Sequence, residues 1–254
     1  MDLDPARYEE FWRRGWTVVE GVFTEDEAEA IAELATTICT QRLTAEKASF
    51  LADRSETGEI APRKLNAPFL AHEDLRRFEL DPRLNGLVDG VIGKPARLVT
   101  DQILMKPPKF GSAKPYHQDN AYFMCDPGDE TITAWIALDD VDESNGCLRY
   151  IDGTHRGPVL EHIPIPNEPH NMVPPPELID LESEAPARAG KGAVVLHHSH
   201  TLHTSHRNDS DRWRRGFATH WASAAVVSSN TTIDEAYYNT HAQLYAETLA
   251  TVSA

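Results

Sequence analysis

Hydrophobic and polar positions divide the chain into a helical first third and a strand-rich remainder. Pro5 to Gly15 has the spacing of a short helix ended by glycine, and Thr17-Val18-Val19-Glu20-Gly21-Val22-Phe23 follows as a strand. Thr24-Glu25-Asp26-Glu27 is a capping box: the Thr24 hydroxyl accepts from the third amide while Glu27 reaches back. It opens a helix with Ala28, Ile31, Leu34, Ala35 and Ile38 on one stripe. Residues 42 to 68 are polar and weakly patterned and predict no element. Leu70 to Phe78 reads as helix, and Asp81-Pro82 caps and opens another through Leu84, Leu87, Val88 and Val91 to Gly93. From Pro95 the pattern changes to short strands, over Ala96 to Lys106, Thr131 to Leu138, Gly192 to Leu196 and Arg214 to Ala225. Asn145-Gly146 predicts a hairpin that returns through Cys147 to Ile151. Thr154 to Gly190 holds eight of the 17 prolines and little periodicity, the mark of a long functional or bracing loop. Thr231 to Leu249 predicts a closing helix with Ile233, Tyr237, Leu244, Tyr245 and Leu249 inward, and no internal repeat is visible.

Composition narrows the class. A chain of 254 residues with 41% hydrophobic content can bury one large core, so a single domain over 1-254 is expected. It divides into helices over about 1-93, a strand core over about 95-225 and a closing helix over about 231-250. The start, Met1-Asp2-Leu3-Asp4, lacks the basic and apolar regions of a signal peptide, and no apolar run reaches bilayer length. Cys39, Cys125 and Cys147 are odd in number and widely spaced, which points to reduced thiols and a cytoplasmic location. A formal charge of −16 argues against nucleic acid or an anionic membrane as partner. With no basic cluster visible near the proline-rich segment, it leans towards a free, neutral or cationic small-molecule substrate.

Metal chemistry is the strongest chemical signal. With 12 histidines and 40 acids, chance alone gives about two His-x-Asp/Glu matches, and two occur. His72-Glu73-Asp74 falls in the helix read over Leu70 to Phe78, where residues two apart point to different sides. His117-Gln118-Asp119 follows Lys114-Pro115-Tyr116, and extended chain would put His117 and Asp119 on one face, able to grip one ion. A third ligand is needed. His197, His198, His200, His203 and His206 are the richest source, and spacing alone does not choose among them.

His117-Gln118-Asp119, Trp135-Ile136-Ala137-Leu138-Asp139-Asp140, Asn145-Gly146-Cys147-Leu148 and Ile151-Asp152-Gly153-Thr154-His155 occur in an ordered series. It continues through Gly192-Ala193-Val194-Val195-Leu196, Leu202-His203-Thr204-Ser205, Asn208-Asp209-Ser210 and Arg214-Arg215. The series resembles the phytanoyl-CoA dioxygenase-like proteins, over about Gly15 to Trp221. That resemblance implies a mainly β fold with flanking α-helices, a double-stranded β-helix (jelly-roll, cupin-like) barrel. It implies Fe(2+), 2-oxoglutarate and O2 as cofactor and cosubstrates, and His203 as the distal ligand beside His117 and Asp119. Thr204 stands where the family usually has glycine. Arg214, eleven residues beyond His203, matches the arginine that grips the far carboxylate of 2-oxoglutarate, with Arg212 and Arg215 as competitors. Ser205, Gln102 and Trp135 match other positions of that pocket, and Trp135 is equally suited to an ordinary core.

The implied activity is an iron(II)/2-oxoglutarate dioxygenase, an enzyme that hydroxylates an unactivated C–H of a small molecule and releases succinate and CO2. Desaturation or cyclisation uses the same three ligands, whereas a carboxylate at Asp119 argues against halogenation. A non-redox jelly-roll metal-binding protein and a zinc hydrolase stay as alternatives. Arg214 and Ser205 speak against the first, and the want of a general base against the second. The segment 156-190 is expected to fold over the site as a lid, with His162, His170 and Asn171 as polar contacts, or else to brace the barrel.

Overall fold

The computed structural model describes residues 1–43, 51–166 and 168–253, without the side chains of residues 169 and 170. Capping signals are realised where the sequence places them. Thr24 and Glu27 close a capping box on the helix Glu25–Arg42, and Asp81 accepts from the Arg83 amide at the head of Pro82–Ile92. Gly15 and Gly93 end their helices in the left-handed region, at φ 90° and 75°, where a side chain would be strained.

Sixteen strands are described among these residues. They are β1 (Trp16–Val19), β2 (Ala52–Arg54), β3 (Ile60–Pro62), β4 (Lys64–Asn66), β5 (Ala96–Lys106), β6 (Lys114–His117), β7 (Cys125–Asp126) and β8 (Thr131–Ala137). Then come β9 (Leu148–Ile151), β10 (Ile163–Ile165), β11 (Glu168–Val173), β12 (Glu184–Ala187), β13 (Val194–His198), β14 (His203–Ser205), β15 (Arg214–Ser223) and β16 (Val227–Ser228). A six-stranded antiparallel sheet runs β1-β13-β8-β15-β5-β4, and a four-stranded one runs β12-β9-β14-β6. Together they make a jelly roll with helices flanking the larger sheet.

Two-residue alternation sorts each strand of the large sheet between two cores. Ile103, Ile132, Ala134, Ile136, Val194, Leu196, Phe217 and Trp221 pack with the helices, including Leu84, Leu87 and Val88 of Pro82–Ile92. The intervening Trp135, Ala137, Val195 and Ala218 meet Leu148 and Tyr150 of the small sheet. This second, thinner core gives way to a cavity at one end.

Several expectations change. Asn145-Gly146 does not join a hairpin, because β8 and β9 belong to different sheets. Gly146 sits at φ 83°, and the Asn145 amide ties Asp140 and Asp142 while the chain crosses between them. The proline-rich stretch is more ordered than its pattern suggests, with β10 pairing β11 as a hairpin and β12 joining β9 in the small sheet. Pairing to a neighbour, which periodicity does not encode, makes those strands. The closing helix is broken into Tyr237–Thr240 and Ala242–Val252. His72 does not lie within a helix: it caps Glu73–Glu79 in extended geometry, its Nδ1 accepting from the Asp74 amide. Cys39, Cys125 and Cys147 are buried and unpaired. No helix among the described residues is long and apolar enough to cross a membrane.

Candidate active site

β6 and β14 are adjacent, and their register sets His117 opposite His203. The two imidazoles come together because antiparallel pairing brings side chains of one face within about 5 Å, and their ring centroids lie 4.1 Å apart. Asp119 arrives differently from expectation. The extended chain stops at His117; Asp119 is helical, φ −58° and ψ −38°, and heads the turn Asn120–Phe123. The Asn120 amide donates to the Ser199 carbonyl, and Tyr122 and Phe123 donate back to the Asp119 carbonyl, which fixes that turn. Its carboxylate caps nothing and is left for the site.

Asp119 Oδ1 lies 3.7 Å from His117 Nε2 and 3.8 Å from His203 Nε2. Both separations are shorter than twice a metal–ligand bond of about 2.1 Å, so one ion can touch all three. Among the described residues this is the one cluster of three that could hold a metal. The ligand atoms are also prepared chemically. His117 Nδ1 lies 2.9 Å from the Pro115 carbonyl, and His203 Nδ1 2.9 Å from that of Thr201. A carbonyl can only accept, so both Nδ1 atoms carry the proton and both Nε2 lone pairs face the cluster. Burial, followed by the neighbouring His203, holds His117 well below the usual histidine range, and burial lowers His203 to about 4. For Asp119, burial opposes ionisation, but the His203 ring and the His197 hydrogen bond outweigh it and keep the carboxyl well below its ordinary value.

Behind Asp119 stands a network that sequence reasoning missed. The other carboxylate oxygen accepts from Thr133 Oγ1 at 2.6 Å and from His197 Nε2 at 3.0 Å. His197 Nδ1 accepts in turn from the Tyr150 hydroxyl at 2.8 Å, and Thr133 meets His220 Nδ1 at 2.8 Å. One oxygen is thus fixed and the other presented. The signal for His197 lay in strand alternation, since His197 shares the face of Val195 in β13. Of the remaining clustered histidines, His198 turns to Asp129, His200 to Asn120, and His206 is exposed.

The cluster lies in a cavity of about 260 Å³, room for several groups of water size (about 30 Å³ each), also lined by Gln102, Trp135, Ser205 and Arg214. Arg214 is 1% exposed, its Nε donates to the Gly146 carbonyl at 2.9 Å, and its guanidinium carbon is 4.9 Å from the Trp135 ring centre. Burial lowers it to about 10, so it is still cationic at neutral pH. Asp139 acts on it from a distance but is already gripped by Arg215 on the opposite face of β15. Arg212 is exposed and bonded to Asp142. Trp135 lies against Gly216, where an added Cβ would come within 1.8 Å of the indole. Its Nε1 is buried without a partner. A buried arginine and an orphaned N–H donor side by side fit a carboxylate ligand, and two neutral imidazoles with one carboxylate fit a non-haem metal.

Lys64, Lys106 and Lys114 also line the cavity and were not anticipated. Asn171 reaches it as well, accepting from Lys114 Nζ at 2.6 Å. His162 does not line it; its Nε2 accepts from the Gln118 amide at 3.1 Å. His170 lies outside the described side chains.

The profile of the phytanoyl-CoA dioxygenase (PhyH) family matches residues 11–216. The peroxisomal phytanoyl-CoA dioxygenase of Bos taurus is 31% identical over 163 residues, covering 61% of this chain and 48% of that protein. The chain therefore spans about half the length of that relative. EvdO2 from Micromonospora carbonacea var. aurantiaca, solved with 2-oxoglutarate, superposes with a TM-score of 0.69 at 22% identity, covering 90% of this chain and 94% of its own. The epimerase SnoN, in complex with Fe3+, alpha ketoglutarate and nogalamycin RO, gives 0.71 at 22% identity, over 91% of this chain and 89% of its own.

Proposed function

Because the chain belongs to the phytanoyl-CoA dioxygenase family, we propose that it is an Fe(II)- and 2-oxoglutarate-dependent oxygenase. It hydroxylates, or otherwise oxidises, an unactivated C–H bond of a small molecule and releases succinate and CO2. The observation that carries this reading is the pairing, in one cavity, of the His117-Asp119-His203 cluster with the buried Arg214.

His117, Asp119 and His203 would hold iron, and bound iron with 2-oxoglutarate supplies the oxidising chemistry with O2. Backbone carbonyls point both Nε2 lone pairs at the metal, while Thr133 and His197 prevent the Asp119 carboxylate from turning away. Arg214 and Ser205 would take the far carboxylate of 2-oxoglutarate, with the Trp135 N–H and Gln102 along its length. A simple metal store gains nothing from a desolvated arginine, whose burial is costly unless an anion meets it. Oxidation with another outcome is the second reading: solved neighbours include the epimerase SnoN and the carbocyclase SnoK, which point to varied fates of the substrate at such sites.

The test is succinate formation from 2-oxoglutarate with Fe(II) in air. His117→Ala, Asp119→Ala and His203→Ala should each abolish it, and exposed His72→Ala should leave it unchanged. Full activity in His203→Ala would move the ligand elsewhere.

A further inference from the structure

Behind the ligand cluster, two buried aromatic residues lead away from the cavity, and neither lines it. Antiparallel register places both. Tyr150 of β9 is the cross-strand partner of His203, and Trp16 of β1 is the cross-strand partner of His197. Paired residues share a face, so Tyr150 and Trp16 meet in the thin core between the two sheets. Their rings stack, with centroids 4.8 Å apart and planes at 18°. The Tyr150 ring lies 5.7 Å, centre to centre, from that of His203. Each of the two also has a base for its proton. The Tyr150 hydroxyl donates to His197 Nδ1 at 2.8 Å, and the Trp16 indole N–H donates to Asp152 Oδ1 at 2.7 Å. Asp152 is half-buried, near the outer end of the pair. Arg14 holds its other oxygen at 3.0 Å and lies over the Trp16 ring, 3.9 Å from the ring centre.

Packing alone does not ask for this arrangement. A buried phenol must find a hydrogen-bond partner, whereas phenylalanine at 150 would fill the core without one. Tyrosine and tryptophan are the aromatic side chains that give up an electron most readily, the more so when a proton can leave along a hydrogen bond. Tyr237 makes the contrast: it too reaches a carboxylate, that of Asp101, but it stacks on Phe69, which is hard to oxidise. We propose that Tyr150 and Trp16 form a redox relay that passes electrons from a reductant in solution to the metal centre when 2-oxoglutarate is consumed with no substrate in place. This rests on the oxygenase reading, which supplies the oxidant. One oxygen atom of O2 then enters succinate, and the other has no C–H bond to enter. Two electrons, with two protons drawn from solvent, convert it to water. Each electron leaves Tyr150 as the phenolic proton shifts to His197 Nδ1. Trp16 then refills Tyr150, the proton returns to the phenol, and the indole proton passes to Asp152. An electron from ascorbate restores Trp16, which takes its proton back from Asp152. Two passes oxidise one ascorbate to dehydroascorbate. The relay thereby spares the cavity wall, where Tyr122 and Phe123 lie within reach of an unspent oxidant.

The test freezes the protein during reaction with Fe(II), 2-oxoglutarate and O2, without substrate, and reads organic radicals by electron paramagnetic resonance. A tyrosyl signal should form in native protein and in Tyr122→Phe, and should be lost in Tyr150→Phe. In Trp16→Phe it should form as in native protein and decay roughly tenfold more slowly once ascorbate is added. Trp16→Phe should also keep the native thermal midpoint and initial rate of succinate formation. Oxygen adducts on Tyr122 and Phe123, read by peptide mass spectrometry, should rise severalfold in that variant. A signal lost in Tyr122→Phe and kept in Tyr150→Phe would overturn the relay. So would its absence from native protein that forms succinate, or a decay with ascorbate indifferent to Trp16→Phe. If the native protein forms no succinate, the oxygenase reading fails. Hydrogen peroxide added to the Fe(II)-loaded protein then decides the relay by itself, through the same signals in the same four proteins, and no tyrosyl signal there would overturn it.

Discussion

At the scale of single residues, three arginines within four positions show how alternation sorts side chains between faces. Arg215 points outward to Asp139 and Glu29, Arg212 precedes the strand on the surface, and Arg214 alone turns into the cavity. Arg214→Ala should weaken 2-oxoglutarate binding by about 2–5 kcal/mol, the usual loss when a charged partner stays buried, while Mn(II) affinity stays near that of the native protein. Arg214→Lys should recover only part, since an ammonium cannot fork across two carboxylate oxygens. Titration of the Mn(II)-loaded variants checks both, and an unchanged 2-oxoglutarate affinity in Arg214→Ala would refute the assignment. The residue-by-residue resemblance put Arg214 in one pocket with His117, Asp119 and His203, and it does line the cavity they share. The Tyr150-His197-Asp119 chain was not legible in the sequence, because a hydrogen bond between residues dozens of positions apart leaves no local pattern.

At the scale of elements, signals confined to a few neighbours were readable and those set by partners were not. Caps at Thr24 and Asp81 and stops at Gly15 and Gly93 depend on adjacent atoms, so they read correctly. The sheet change after Asn145-Gly146 and the turn at Asp119 depend on what lies across the fold. So does a buried pair of acids that joins the helix Glu73–Glu79 to β5. Glu79 is fully buried beside Asp101, with Arg76, Tyr237 and Tyr245 as further ionisable neighbours. Asp101 accepts from the Phe69 amide at 2.6 Å and from the Tyr237 hydroxyl. Burial first and Asp101 second raise Glu79 well above the usual carboxyl range, and burial raises Asp101 to about 6. The folded protein thus holds protons here that the unfolded chain releases near pH 4. Its contribution is complete below that pH and is lost as pH rises through the folded values. Glu79→Gln cannot ionise and should flatten the decline in stability between pH 5 and pH 8, measured by urea unfolding at each pH. Equal slopes in variant and native protein would refute a protonated Glu79.

At the scale of the whole molecule, the hairpin of β10 and β11 packs over β6, the strand that carries His117. Asn171 touches Lys114, and Met172 exchanges hydrogen bonds with the Tyr122 hydroxyl. Its placement suits a cover over the cavity mouth, so shortening Pro164 to Pro176 should let 2-oxoglutarate be consumed without product, read as the ratio of succinate to oxidised substrate. A native ratio would make the hairpin a brace. The order of strands has one more consequence, for how the molecule is born. β15 is the last strand of the large sheet in the chain, yet it sits in the interior between β8 and β5. Until its residues emerge during synthesis, β5 and β8 have no neighbour between them and their edges stay open. Pairings this distant close slowly, and open edges are the usual entry to aggregation. The cavity floor, which takes Arg214, Ala218 and His220 from β15, is therefore assembled last. A nascent chain already holding the strands of His117 and His203 still has to wait for the wall that β15 supplies.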